Sequence, residues 1–165
     1  MIDAAIRRPL RWAATGLYSL CQAYWYLRRP RTQGVHAVAI TPKGHLVLVR
    51  LRYAPGWRLP GGGRSKAETP REAVLRELRE EIGMRSHGAV ELVSEEPEFS
   101  DFRSDFTSLF IVRDVEYRPR WTLEIEAITE ASPHRLPDDL SERTRKWILA
   151  VRPLLVGPGE VLSPP

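Results

Sequence analysis

The sequence predicts an α+β domain in which strands and helices follow one another along a single chain. Five short apolar runs rich in β-branched residues predict strands, and two segments with apolar residues at helical spacing predict helices. Their order is strands, helix, strands, helix. The length of 165 residues, with 42% hydrophobic and 28% charged residues, is typical of one soluble globular domain. We place that domain at residues 32–152, between an N-terminal extension (1–31) and a C-terminal tail (153–165) that we expect to be loosely ordered.

The strand predictions rest on apolar, β-rich runs bounded by turn residues. The first two runs are joined by Thr41-Pro42-Lys43-Gly44, which predicts a hairpin. The five predicted strands are Gly34–Ile40, His45–Arg52, Ala89–Val93, Ser108–Val115 and Trp121–Thr129. A helix is predicted over Asp138–Val151, because Leu140, Thr144, Trp147 and Ile148 fall on one side of it.

The other helix has clear signals at both ends. Thr69 can cap its first turn, Pro70 suits the first helical position, and Glu72 completes a capping box. Gly83 stands where a left-handed residue would end the helix. These signals predict a helix over Pro70–Ile82.

An acidic cluster occupies one arc of this helix. At about 100° per residue, Glu77, Glu80 and Glu81 lie side by side, next to the apolar stripe. Each like-charge pair costs roughly 0.2–0.5 kcal/mol in an isolated helix. The cluster indicates either a solvated acidic face or a site for a divalent cation, which takes oxygen ligands.

The residues before the helix favour the cation site. Gly61-Gly62-Gly63 allows the backbone to approach a ligand closely. Gly62 is followed after five residues by Glu68, and after seven more by Arg76-Glu77-Leu78-Arg79-Glu80-Glu81-Ile82-Gly83-Met84. This pattern resembles the signature of the Nudix hydrolases at every defined position. The resemblance implies an α/β/α sandwich with a mixed β-sheet, in which this loop-helix-loop is the catalytic platform.

The resemblance also implies a chemistry. Nudix hydrolases cleave nucleoside diphosphates linked to another group, usually with Mg²⁺ and sometimes with Mn²⁺. It assigns metal ligation to the backbone carbonyl of Gly61 and to Glu80 and Glu81. Glu77 is a further ligand or the base that deprotonates water, and Arg76 would orient it through a charge-assisted hydrogen bond.

Many relatives use one more carboxylate from outside this motif. The candidates are Glu116, Glu124 and Glu126, although each is alternatively a solvated strand residue. We choose Glu124, since the run that it opens resembles the strand start before the last helix in relatives. We expect Glu68 to support the loop rather than the chemistry.

The sequence says less about the substrate. We expect Tyr53, Trp57, Arg58 and Asp105 to contact it. Trp57 alternatively packs under the glycine loop, and Asp105 belongs to a polar and aromatic segment that we expect to be a loop, Phe99–Asp105. Small nucleotides, nucleotide sugars, dinucleoside polyphosphates and capped RNA all stay open, with long RNA the least favoured.

The N-terminal segment holds the positive charge of the chain. Residues 1–31 contain six Arg and one Asp, a net charge of +5, whereas the whole chain carries +4, so residues 32–165 sum to −1. The sequence therefore predicts no general surface for nucleic acid. Leu10–Leu27 is apolar and aromatic with Arg at both ends. It predicts a helix that packs on the domain or on the second subunit of a homodimer, or alternatively lies on anionic lipid.

The remaining composition limits the other classes of function. A single Cys21 excludes an intramolecular disulfide and fits a reducing, cytoplasmic compartment. Two alternatives to a hydrolase of small nucleotides are a non-catalytic module that senses a nucleotide and a membrane-tethered protein whose N-terminal helix is the functional part. Loss of the acidic residues would favour the sensing module, but all of them are present.

Overall fold

A computed structural model of the chain describes residues 31–100, 103–119 and 122–155. Within these ranges the chain forms two helices and nine strands. The helices are α1 (Pro70–Glu81) and α2 (Glu142–Leu155). The strands are β1 (Arg31–Ala39), β2 (Leu46–Leu51), β3 (Trp57–Arg58), β4 (Gly61–Gly63), β5 (Met84–Ser86), β6 (Val90–Ser100), β7 (Arg103–Val112), β8 (Glu116–Tyr117) and β9 (Ile125–Ala131).

The strands form one mixed sheet and two smaller antiparallel sheets. The four-stranded sheet has the order β4-β1-β7-β6, in which β1 runs parallel to β7 and antiparallel to β4. Strands β3, β2 and β9 form a second sheet, and β5 pairs with β8. The chain is therefore an α+β protein with a mixed sheet, as the sequence predicts.

Strand β1 contributes side chains to two hydrophobic cores, because successive side chains of a strand point to opposite faces of the sheet. Val35, Ala37 and Ala39 are buried in the core that α1 covers, together with Val74 and Leu78. The alternate residues face the other way. Val38 and Ile40 belong to the core that contains Ile148 and Val151 of α2. The central sheet thus lies between α1 and α2, which is the predicted α/β/α sandwich.

Helix α1 has the predicted N-terminus. The Thr69 hydroxyl accepts a hydrogen bond from the Glu72 N–H at 3.2 Å, and the Glu72 carboxylate accepts one from the Thr69 N–H at 2.9 Å, which confirms the capping box. The helix ends at Glu81, one residue before the predicted end. Gly83 then has φ 72°, the left-handed conformation expected after a helix.

Several predicted boundaries are wrong because pairing between distant strands extends the ladders. Strand β1 begins three residues before Gly34, since it pairs with β7 from Arg31 onward. The predicted loop Phe99–Asp105 is the end of a hairpin, in which Phe99 pairs with Ser104 and Ser100 with Arg103. Asp101 and Phe102 lie outside the described residues. Polar residues are poor strand predictors, but a neighbouring strand can still order them.

Helix α2 begins at Glu142, four residues after the predicted start at Asp138, and continues to Leu155. The delay has a structural cause. The Trp57 N–H donates to the Asp139 carbonyl at 2.9 Å, and the Ser141 N–H donates to the Trp57 carbonyl at 2.9 Å. These two hydrogen bonds form a bridge between Trp57 and Leu140 and tie residues 139–141 to β3, so the helix can begin only after them.

The predicted N-terminal extension lies outside the described residues, except for Arg31, which begins β1. Most of the predicted C-terminal tail lies outside them as well, and residues 153–155 continue α2. Of the helices in the described part of the chain, neither is long and apolar enough to cross a membrane.

Candidate active site

The glycine strand β4 is held between β1 and α1. Gly61 pairs with His36 of β1, and Gly63 pairs with Gly34. From the other side, the Gly61 N–H donates a hydrogen bond of 2.8 Å to the Glu81 carboxylate on α1. The predicted metal-binding backbone and the predicted metal-binding helix are thus joined by a direct contact.

The three glycines differ in what surrounds them. Gly61 has φ 151°, and a Cβ on it would collide with the Val35 carbonyl oxygen. A Cβ on Gly62 would stand 2.6 Å from the Glu77 carboxylate, whereas a Cβ on Gly63 would have no neighbour within 4 Å. Position 61 therefore requires glycine, because its backbone conformation and the Val35 carbonyl leave no space for a Cβ. The lack of a side chain at Gly62 leaves room for the Glu77 carboxylate.

Arg76 is the centre of an ion-pair network on α1. Its guanidinium donates to Glu68 at 2.6 Å, to Glu77 at 2.9 Å and to Glu80 at 3.1 Å, and also to the Gly63 carbonyl at 2.8 Å. The bond to Glu68 is the main reason that the pKa of Arg76 is raised. In the metal-free protein, Arg76 thus supplies the positive charge that offsets the repulsion among its acidic neighbours.

Glu68 supports the loop through two contacts. Hydrogen bonds from Arg76 and from the Ser65 N–H, the latter at 3.0 Å, lower the pKa of Glu68 to about 2. The carboxylate is therefore ionised at neutral pH and ties the residues before α1 to the helix itself.

Glu81 is the most buried of the acidic residues, with only 7% of its surface exposed. Burial raises the pKa of its carboxyl group well above the usual range. The hydrogen bond from Gly61 lowers that pKa, and the charges of Glu124, Glu77 and Glu80 raise it further. Glu77 is half-buried, and burial raises its pKa as well. A buried carboxylate surrounded by other carboxylates is destabilising unless a cation joins it.

Glu124 joins this cluster from outside the helix. It immediately precedes Ile125, which is buried in the core that α1 covers, and its charge contributes to raising the pKa of both Glu77 and Glu81, after the larger effect of burial. Glu116 is elsewhere, on β8, where it accepts a hydrogen bond from the Ser86 hydroxyl at 2.8 Å. Glu126 is the unpaired residue of a β-bulge between β2 and β9. Among the three candidates, the structure thus brings Glu124 to the acidic cluster.

The predicted substrate contacts are spread over different parts of the molecule. Tyr53 lies at the cluster, where its hydroxyl donates to the Glu124 carboxylate. Trp57 packs against the α2-side core, with the Arg50 guanidinium 4.5 Å from its ring centroid. Arg58 is in β3, and its guanidinium donates to the Pro55 carbonyl at 3.5 Å. Asp105 is in β7, and its side chain falls outside the described part.

His36 is a residue that our sequence analysis missed. Burial lowers the pKa of its imidazole to about 3, so the ring is neutral. Its ring centroid lies 4.7 Å from that of Trp147 on α2. Strand alternation could have indicated it, since His36 shares the α2-facing side of β1 with Val38 and Ile40. On this side, strands β6 and β7 and helix α2 line a cavity of about 600 Å³, which includes Thr107 and Trp147.

The acidic cluster suits a Mg²⁺ or Mn²⁺ ion as an open site rather than a closed cage. Across the described ranges, no three His, Cys, Asp or Glu side chains are already gathered into a metal-holding group. Glu77 and Glu80 share Arg76 instead, and Glu81 is bound to the Gly61 N–H. Mg²⁺ retains several waters and uses one or two carboxylates together with substrate phosphates. The oxygen donors and the buried charge of Glu81 fit such an ion.

A comparison with models of protein families identifies the family of the chain. The model of the NUDIX domain matches residues 30–151. The chain belongs to the Nudix family. The matched region contains the motif Gly62–Met84 that the sequence analysis identified, and it covers all the described strands.

Similar Nudix proteins are known from several bacteria. The chain is 48% identical over 67 residues to an RNA pyrophosphohydrolase of Acidiphilium cryptum (strain JF-5), which covers 39% of this chain and 39% of that protein. The chain thus matches well under half of the length of this curated relative.

Solved Nudix structures share the fold. A MutT NUDIX hydrolase of Burkholderia pseudomallei has a TM-score of 0.64 at 24% identity, over 74% of this chain and 98% of that one. A bifunctional NMN adenylyltransferase/ADP ribose pyrophosphatase of Francisella tularensis, complexed with AMP and a Mn ion, has a TM-score of 0.64 at 18% identity, over 87% and 48% of the two chains. At these identities the likeness shows the Nudix fold alone.

Proposed function

We propose that the protein hydrolyses a pyrophosphate bond in a nucleoside diphosphate linked to another group, with Mg²⁺ or Mn²⁺ as the cofactor. The observation that carries this proposal is the buried Glu81 carboxylate, which accepts a hydrogen bond from the Gly61 N–H and shares α1 with Glu77 and Glu80. Such a cluster costs stability in the metal-free protein and becomes favourable when a cation binds. The Mn ion in the Francisella tularensis structure supports this choice of metal.

Each residue of the cluster has a defined task in this mechanism. Glu80, Glu81 and the Gly61 carbonyl would hold the cation, with Glu124 as a further ligand. When bound, the cation neutralises pyrophosphate oxygens and acidifies a water. Glu77 then serves either as a further ligand or as the base that takes the proton of the attacking water. Its raised pKa suits a base, and Arg76 fixes its carboxylate at 2.9 Å.

A panel of substrates tests the proposal. Phosphate or nucleotide release is measured for nucleoside diphosphate derivatives with Mg²⁺, with Mn²⁺ and with a chelator. We expect at least one compound to be cleaved with either metal, and no cleavage of it with the chelator. Equal rates in the chelator, or no cleavage of any compound by well-folded protein, would contradict the proposal.

The 5′-triphosphate end of RNA is a second candidate substrate. The observation that favours it is the 48% identity to an RNA pyrophosphohydrolase over 67 residues. Against it, residues 32–165 carry a net charge of −1, which gives little attraction to a long polyanion. Adding 5′-triphosphorylated RNA of 2 and of 20 nucleotides to the panel of substrates distinguishes the two candidates. An enzyme for small nucleotides should cleave the shorter RNA faster than the longer one.

The three adjacent glycines provide a graded test of the loop. Gly61→Ala should lower the free energy of unfolding by about 1–3 kcal/mol and also the activity, because its backbone conformation is unsuited to a side chain. Gly62→Ala should displace the Glu77 carboxylate, which is a side chain rather than backbone, so activity should fall with less loss of stability than in Gly61→Ala. Gly63→Ala is the matched control and should change neither quantity. Denaturant unfolding measures the free energy of unfolding, and initial rates measure the activity. If all three variants lose the same stability and the same activity, the different roles assigned to the three glycines are wrong.

A further inference from the structure

Tyr53 has a hydrogen bond that connects it to the acidic cluster. Its hydroxyl donates to the Glu124 carboxylate, although the two residues are 71 positions apart in the chain. Tyr53 follows β2, and Glu124 immediately precedes β9, the strand that pairs with β2. The contact is therefore set by the register of these two strands rather than by local sequence.

Electrostatics alone would drive the Glu124 side chain away. The residue is exposed, and its charge acts unfavourably on both Glu77 and Glu81. An exposed side chain with like charges nearby normally turns to the solvent, where rotation costs little. A hydrogen bond from a phenol to an ionised carboxylate is stronger than a neutral one and can oppose this tendency.

The backbone on either side of Tyr53 is held by hydrogen bonds and close packing, which brings Tyr53 and Glu124 together. The Arg52 N–H donates to the Glu124 carbonyl at 3.0 Å, and the Arg52 side chain donates to the Ile125 carbonyl at 3.3 Å. On the other side of Tyr53, Gly56 has φ 80° and packs so closely that a Cβ on it would stand 2.6 Å from the Asp139 carbonyl oxygen. The loop that carries Tyr53 is thus anchored at both of its ends.

We propose that Tyr53 is a positioning residue, which holds the Glu124 carboxylate toward Glu77 and Glu81 so that it can take part in binding a divalent cation. The inference rests on the proposed function, because it concerns the same cation. It assigns to the Tyr53 hydroxyl a task in addition to the predicted contact of this residue with the substrate. Removal of the hydroxyl should release Glu124 and weaken metal binding, without removing any ligand.

The test is Mn²⁺ binding by the full-length protein without substrate, measured by electron paramagnetic resonance of free Mn²⁺ and by the metal-induced rise in melting temperature. Tyr53→Phe should weaken Mn²⁺ affinity about threefold to tenfold, with little change in the melting temperature of the metal-free protein. Glu124→Gln should have an effect of at least this size. The double variant should be no worse than Glu124→Gln alone, since the hydroxyl acts only through that carboxylate.

A second Tyr–Glu pair provides the matched control. The Tyr117 hydroxyl donates to Glu130 at 3.2 Å, between β8 and β9. Tyr117→Phe removes the same kind of hydrogen bond and should leave Mn²⁺ affinity unchanged. An equal loss of affinity in both variants would show a general effect on the fold and overturn the inference.

Two further outcomes separate this inference from the proposed function. If the wild-type protein binds Mn²⁺ and hydrolyses a substrate, but Tyr53→Phe binds Mn²⁺ equally well, this inference alone is wrong. The same holds if the losses caused by Tyr53→Phe and Glu124→Gln multiply in the double variant. If the wild-type protein shows neither Mn²⁺ binding nor hydrolysis, both the inference and the proposed function are overturned.

Discussion

Glu81→Gln should lower hydrolysis by about 100-fold or more and, in the metal-free protein, should not lower stability. The loss of activity follows because Glu81 is a proposed metal ligand, and such a ligand contributes several kcal/mol of charge stabilisation. The gain or maintenance of stability follows because Gln can still accept the hydrogen bond from Gly61 but carries no charge into a site that is only 7% exposed. Hydrolysis rates and thermal unfolding in chelator measure the two effects.

The difference in stability between Glu81→Gln and the wild-type protein should grow as the pH rises. Burial raises the pKa of Glu81 in the folded protein above its usual 4.5, so the folded state binds the proton more tightly than the unfolded state does. The cost of its charge is therefore absent below about pH 4.5 and grows as the pH rises toward the folded-state pKa. The advantage of Glu81→Gln should grow over the same interval. Glu91→Gln, at an exposed position on β6, should show neither effect.

Arg76→Gln should destabilise the metal-free protein by about 1–2 kcal/mol, because it removes charge-assisted hydrogen bonds at a site that is only partly exposed. Glu77 and Glu80 would then repel each other without a shared partner. Hydrolysis should also fall, since Glu77 loses the contact that orients it. Melting curves in chelator and initial rates in Mg²⁺ give both quantities.

Added Mg²⁺ should stabilise Arg76→Gln more than it stabilises the wild-type protein. In the wild-type protein the metal must draw carboxylates away from Arg76, whereas in the variant it meets no such competitor. Arg71→Gln, an exposed position on the same helix, should behave like the wild-type protein. An equal Mg²⁺ response in all three proteins would show that Arg76 and the metal do not share ligands.

The local features of the site could be predicted from sequence because they depend on residues close together in the chain. The capping box at Thr69, the left-handed Gly83 and the single acidic face of α1 are all set by spacings of a few residues. The glycine run could be predicted only through its spacing in the family motif, because its position depends on pairing with β1 and on a contact 20 residues away with Glu81.

The features that depend on pairing between distant segments could not be predicted. The length of the β6–β7 hairpin, the late start of α2 and the partner of the Tyr53 hydroxyl all depend on which strands become neighbours. Glu124 was predicted by resemblance, not by spacing. His36 was missed because a lone histidine in an apolar run has no local partner that would reveal its contact with Trp147.

The two-sided strand β1 has a consequence for protein engineering. Its residues alternate between the α1 side, with Val35 and Ala37, and the α2 side, with His36 and Val38. A library that varies only the α2 side can therefore change the packing against α2 while the α1 side keeps its own residues. Changes on one face of a single strand can then be examined while the residues that pack against the acidic helix stay as they are.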